Sequence, residues 1–140
     1  MRYKVLAYIT RERDGRRELL AFTHRDYPEA GVQVPAGTVE PGEAIEAALF
    51  REIREESGLT NLRLVRKLAE HAETEWGQIR NVFHLVAPNG AADRWTHVVH
   101  GQGEDAGMVF EHCWIDLSER MELAGAQHQW LGLLNGGDLE

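Results

Sequence analysis

The sequence predicts a layered α/β or α+β fold built on a central mixed sheet with two main helices. Three observations carry this. Short apolar segments with a period of two recur along the chain, as in VLAYIT at residues 5–10. One longer segment, residues 43–57, repeats its apolar residues with a helical period instead. Turn pairs such as Asp14-Gly15 and Pro41-Gly42 separate the segments. A strand that buries a face and a helix that buries a stripe stabilise each other as stacked layers.

The elements follow in order. Val5, Ala7 and Ile9 alternate with Leu6, Tyr8 and Thr10, and Leu19–Phe22 follow the Asp14-Gly15 turn, so residues 3–10 and 17–24 form a hairpin. Tyr27-Pro28 through Gly31 is a loop, and Val32–Val34 is a short strand stopped by Pro35. The helix runs from about Glu43 to Ser57, with Gly58 placed to end it in the left-handed region. LRLVRKLAEHAE fits a strand or a helix by pattern, and a strand is preferred. Residues 79–87, 94–100 and 109–117 read as further strands. GQGEDAG at 101–107 is a polar glycine-rich loop, and Ser118 is placed to cap a last helical region reaching about Leu134.

Length and composition bound the function. At 140 residues the chain is expected to be a single domain, residues 1–140, that buries a core without disulfides, and Cys113 has no cysteine to pair with. A net charge of −8 argues against sequence-independent nucleic-acid binding, which needs a basic face. It permits a small phosphate compound if a metal bridges the two negative partners. The opening MRYKVLAYIT lacks a signal-peptide core and no run approaches a membrane span, so a cytoplasmic protein with no membrane partner is expected. A monomer or homodimer is expected.

The helix at 43–57 poses the chemical question, because its acids are not on the face away from the apolar residues. On a helix turning about 100° per residue with Glu52 at zero, Glu56, Glu55, Ile45, Leu49, Ile53 and Ala48 lie at about 40°, −60°, 20°, 60°, 100° and −40°. Glu52 and Glu56 therefore sit within the apolar stripe. Like charges four apart destabilise a helix, and burying them unpaired costs far more. Arginines such as Arg51 and Arg54 could offset them, or a divalent cation could, since carboxylate oxygens suit Mg²⁺ and Mn²⁺. A solvated acidic helix end is the plain alternative. Gly37 before the helix permits close backbone approach to a ligand.

The stretch 37–59 resembles the Nudix box, G-x5-E-x7-R-E-U-x-E-E-x-G-U with U aliphatic. Gly37, Glu43, Arg51, Glu52, Ile53, Glu55, Glu56, Gly58 and Leu59 fill every fixed position. The VPAG leading into it and the strand ending at Trp114–Leu117 also look like that family. The resemblance implies an α/β/α sandwich. It also implies hydrolysis of the pyrophosphate bond of a nucleoside diphosphate linked to another moiety, with a small nucleotide as substrate. Residues matching Glu52, Glu55, Glu56 and the Gly37 carbonyl would hold Mg²⁺ or Mn²⁺. Arg51 would orient the acids, and Glu43 would support the loop–helix geometry. Glu56 and Glu52 are the catalytic acids of first choice. The family sometimes recruits a general base from a later loop. Here that is Glu104, beside Asp105, with Glu111 as a second candidate. A strand-like flank would point Asp105 away from Glu104, and the loop glycines would let Glu104 reach the site with substrate bound.

Other residues are weighed beside these. His97 and His100, three apart on a strand, would face opposite ways and make no zinc pair. Cys113 reads as a buried strand thiol. Trp76 or Trp95 could stack a base, while Phe83 reads as core. Arg25, beside His24 at the end of the second strand, could grip a phosphate. A nucleotide-sensing module that does not cleave would tend to lose metal ligands, and all are kept here. Nucleoside triphosphates and dinucleoside polyphosphates are the favoured substrates. The proline that ADP-ribose enzymes of the family often carry past the box is absent from AETEWG, which lowers that option without removing it, and ADP-ribose and nucleotide sugars remain the alternatives.

Overall fold

The computed structural model describes residues 1–101 and 103–134. Seven strands form one sheet: β1 (Arg2–Arg13), β2 (Arg16–His24), β3 (Ala36–Thr38), β4 (Arg63–Glu73), β5 (Gln78–Val86), β6 (Trp95–Val98) and β7 (Val109–Asp116). Their order is β4-β5-β1-β2-β7-β6, with β3 paired to β1 off this path. The sheet is mixed because β1 and β5 run parallel while the other pairs are antiparallel. Asp14 and Gly15 both take positive φ, 53° and 75°, the geometry that matches a two-residue hairpin turn to strand twist.

Alternation along β1 builds the two cores. Val5, Ala7 and Ile9 pack with Leu20, Phe83 and Leu85 against Ala48, Leu49 and Ile53 of the helix α1 (Ile45–Ser57). Leu6 and Tyr8 face the other way, onto Leu19, Val82, Leu123, Trp130 and Leu134. A strand covered on both faces reads as a continuous apolar run, which is why residues 5–9 carry no polar position. Full burial of Leu49 and Ile53 contributes roughly 1.5–3 kcal/mol each, so the apolar stripe anchors α1 and fixes the direction of its acids. The expected α/β/α sandwich is what forms.

Two local expectations change. Val32–Val34 makes only a single bridge, Phe22 to Gln33, and the strand is instead Ala36–Thr38. Pro35 has no N–H to extend the first pairing, and its carbonyl accepts the Ala7 N–H at 2.9 Å. That contact delivers residues 36–38 to Leu6, Val5 and Lys4. The last helical region starts at Ala124 rather than at Ser118, and it is a 3-10 segment, Ala124–Leu134, kinked at Gly125 and Ala126. The Ser118 N–H bonds Asp116 Oδ1 at 2.8 Å, closing a turn instead of opening a helix. Gln102 of the glycine-rich loop lies outside the described residues. No helix among the described residues is long and apolar enough to cross a membrane.

Candidate active site

α1 ends as its sequence anticipates: Gly58 takes φ 78° and donates to the Arg54 carbonyl at 2.9 Å. This sets the acids of the last two turns beside β3. Gly37 lies directly against Glu52, and a Cβ at that position would overlap the Glu52 carboxylate. Arg51 reaches back across the helix start. Its Nε donates to Glu43 Oε2 at 2.8 Å and its Nη2 to Glu43 Oε1 at 3.0 Å, a two-point carboxylate pairing. Nη2 also donates to the Thr38 carbonyl at 3.0 Å, and Nη1 donates to Glu52 at 2.9 Å and to Glu55 at 3.2 Å. One guanidinium thus ties the β3 end, the loop and two acids together. Its hydrogen bond to Glu43 is the main reason that carboxyl is held below the usual range. Arg54, the other candidate partner, is exposed.

Glu56 is only 5% exposed. Burial, then a hydrogen bond and charge repulsion from Glu52, push its carboxyl well above the usual range. The Ala36 N–H reaches its Oε1 at 3.4 Å. A buried carboxylate whose proton affinity is raised by a neighbouring carboxylate is what a divalent cation relieves. Among the described residues, no three His, Cys, Asp or Glu side chains are already arranged around a common metal position. The all-oxygen donor set, with the Glu52 carboxylate lying directly on Gly37, fits a hard divalent cation such as Mg²⁺ or Mn²⁺.

These acids line one wall of a cavity of about 610 Å³. The same cavity is lined by Arg2, Lys4 and Arg80, which the sequence pattern does not single out. Parallel register places Lys4 opposite Arg80 and Arg2 two positions back on the same face. Lys4 Nζ donates to Thr38 Oγ1 at 2.8 Å. Its amine is pulled below its usual range by burial, then by Arg2 and Arg80, while Glu52 and Glu104 pull the other way. The cavity therefore has an acidic wall and a basic wall.

The last four carbonyls of an α-helix lack partners within it. Here Gly58 takes Arg54, while Glu55 accepts from His97 Nε2 and the His100 N–H, both at 3.1 Å. His112 Nε2 donates to the Glu56 carbonyl at 2.8 Å, and Trp95 Nε1 donates to Ser57 at 2.8 Å. A carbonyl only accepts, so His112 carries its proton on Nε2. Its Nδ1 is buried with no partner among the described residues. Burial is the main cause that lowers its pKa from 6.5 to about 4. Across that window the unfolded chain binds a proton that the folded chain refuses, so stability falls as pH is lowered, by up to about 3 kcal/mol from this group. His112→Gln keeps an N–H for the carbonyl and is expected to flatten this acid limb in urea unfolding. An unchanged limb would assign it to other groups.

The other expected site residues divide. Glu104 lines the cavity. So does Asp105, against expectation, because residues 104–107 form turns and strand alternation does not apply. Glu111 is exposed on β7 and does not line the cavity. Arg25 is exposed, pairs with Asp26 at 3.3 Å and does not line it either. Trp76 is 73% exposed beside a shallower hollow of about 330 Å³ that shares Arg2 and Arg80 with the main cavity. His97 and His100 do meet, with ring centroids 5.2 Å apart, because β6 stops at Val98 and alternation does not reach His100. Phe83 is core, and Trp95 is held on the Ser57 carbonyl and stacked on His112. Cys113 is half-buried, and burial raises its thiol pKa, the opposite of activation.

Comparison with known proteins places this geometry. The family model described as a NUDIX domain matches residues 1–131. None of the curated proteins matches the sequence. Among solved structures, a Caenorhabditis elegans Ap4A hydrolase binary complex superposes with TM-score 0.68 at 19% identity, covering 96% of this chain and 95% of that one. A MutT NUDIX hydrolase from Burkholderia pseudomallei gives 0.56 at 25% identity, with 96% and 98% covered. The NUDIX domain of Shewanella oneidensis NrtR, crystallised with ADP ribose, gives 0.64 at 16% identity, with 94% and 84% covered.

Proposed function

Since the chain belongs to the Nudix family and is thereby a pyrophosphohydrolase, we propose that it cleaves nucleoside triphosphates or dinucleoside polyphosphates. The observation that carries this is the joining of two charge sets in one cavity. Arg2, Lys4 and Arg80 line the same cavity as Glu52, Glu55, Glu56 and Glu104. Three cations match a chain of three or more phosphates better than the two of ADP-ribose, and the Ap4A hydrolase likeness is in keeping with that. Trp76, in the hollow that shares Arg2 and Arg80 with the cavity, would stack a base.

Nudix hydrolases need divalent ions, and Glu52, Glu55, Glu56 and the Gly37 carbonyl would hold Mg²⁺ or Mn²⁺ here. A divalent ion bound there supplies charge neutralisation of the phosphate oxygens and an activated water. The chain does the rest. Arg51 fixes the directions of Glu52 and Glu55. The basic wall positions the phosphate chain and offsets charge that grows in the transition state. Glu104 accepts the proton of the attacking water.

A panel of nucleotides assayed with Mg²⁺ and with Mn²⁺ tests the substrate class, and preference for two-phosphate substrates would overturn it. On the best substrate, Glu104→Gln is expected to lower kcat by up to about 100-fold with KM within a few-fold, as for a contact made mainly in the transition state. Asp105→Asn should cost less, and Glu111→Gln nothing. Wild-type kcat in Glu104→Gln would return the base to the box acids.

A further inference from the structure

The box accounts for the glycine beside Glu52, but a second glycine outside the box stands in the same relation to Glu55. β6 ends at Val98, and its ladder closes with the Val99 N–H on the Met108 carbonyl at 2.8 Å and the Gly107 N–H on the Val99 carbonyl at 2.9 Å. Between these closures the chain crosses the last turn of α1. The His100 N–H and His97 Nε2 both bond the Glu55 carbonyl, each at 3.1 Å. The His97 ring rests on the open face of Gly58, where a Cβ would come within 3.1 Å of it. At the next residue, Gly101, φ is 100°, and a Cβ would overlap the Glu55 carboxylate. The strand exit therefore holds the backbone of Glu55 by hydrogen bonds and confines its side chain by contact.

We propose that Gly101 is a positioning residue for Glu55. It lets the strand exit lie flat on the Glu55 carboxylate, so that carboxylate is confined between Gly101 and the Arg51 guanidinium and turned to the cavity. Glu52 is confined in the same way between Gly37 and Arg51. The acid row is then aligned from both ends of the helix turn, once by β3 and once by the β6–β7 connection. Glu104, further along the same connection, lines the same cavity as Glu55. The consequence for metal binding rests on the metal reading proposed above, whereas the contact itself does not.

Any residue with a Cβ is strained at a positive φ, so the test needs a control for strain. Gly107 provides it: the same connection, φ 88°, and nothing within 4 Å of a Cβ. Mn²⁺ binding to the intact protein is read by the electron paramagnetic resonance signal of free Mn²⁺, without substrate. Gly101→Ala is expected to weaken Mn²⁺ binding about tenfold or more, and Gly107→Ala to leave it within about twofold, the margin of a change that touches no ligand. Equal weakening by both would make the effect loop strain and overturn the proposal. A urea double-mutant cycle reads the contact without metal. Gly101→Ala should shift the midpoint less in a Glu55→Ala background, where the carboxylate is gone, than in wild type. Additive shifts would overturn the proposal, even if Mn²⁺ binding falls. If wild type binds no Mn²⁺, the metal reading fails and the cycle alone decides the contact.

Discussion

Glu56→Gln lowers kcat by at least ~100-fold while the protein stays as stable as wild type or becomes more so. The two halves of this expectation come from the same geometry. Glu56 is buried beside Glu52, where desolvation and repulsion make its charged form costly, so removing the titrating group removes a cost to folding. Glutamine has the same shape and keeps a carbonyl oxygen for the Ala36 N–H. An amide is a weaker divalent ligand than a carboxylate and takes no proton at neutral pH. Steady-state kinetics paired with urea unfolding reads both halves. Near-normal turnover by the folded variant would remove Glu56 from the chemistry, whereas a large loss of stability would mean that its charge is countered by groups other than a metal.

Arg51→Leu destabilises the metal-free protein by roughly 3 kcal/mol, the lower range for stranding a largely buried charge by removing its partner. Arg51 is the only cation hydrogen-bonded to Glu43, Glu52 and Glu55 among the described residues. All three carboxylates are less than a fifth exposed, so water compensates only part of the loss. Arg51→Lys recovers little, because an ammonium cannot meet both oxygens of Glu43 and still reach the other two acids. The loss should shrink when Mn²⁺ is present, since the cation then counters Glu52 and Glu55. Urea unfolding in chelator and in saturating Mn²⁺ checks this, and an equal loss in both would separate the arginine network from the metal site.

The acid wall could be read from one segment because helical phase is local. The angles of Glu52 and Glu56 follow from positions within four residues of each other, and Ile53 and Leu49 say which side is buried. The basic wall could not be read that way. Lys4 and Arg80 become neighbours only through the parallel register of β1 with β5, and no local pattern sets that register. The same limit hid β3, whose three residues pair because Pro35 redirects the chain. Asp105 and His100 were misplaced for a related reason: strand alternation was carried past the point where the strand stops. The late helical region was foreseen at its end, Leu134, but not at its start or in kind, since Ala126 at φ 57° follows Gly125 in breaking the helical path. Arg25 reads equally well as a phosphate grip or a surface charge until Asp26 is seen beside it.

The capping of α1 by β6 and β7 has a consequence for how the protein breathes. A helix end ordinarily frays, because its last carbonyls lose nothing by turning to water. Here the carbonyls of Glu55, Glu56 and Ser57 are bonded to His97, His100, His112 and Trp95, so the last turn cannot open without detaching from those strands. The acid row and the sheet edge then belong to one cooperative unit. Amide hydrogens at the end of α1 should exchange at the rate of β7 and not of a free helix terminus, and faster exchange there would show that the turn opens alone. A site that concentrates negative charge is thereby denied its cheapest relaxation, local melting.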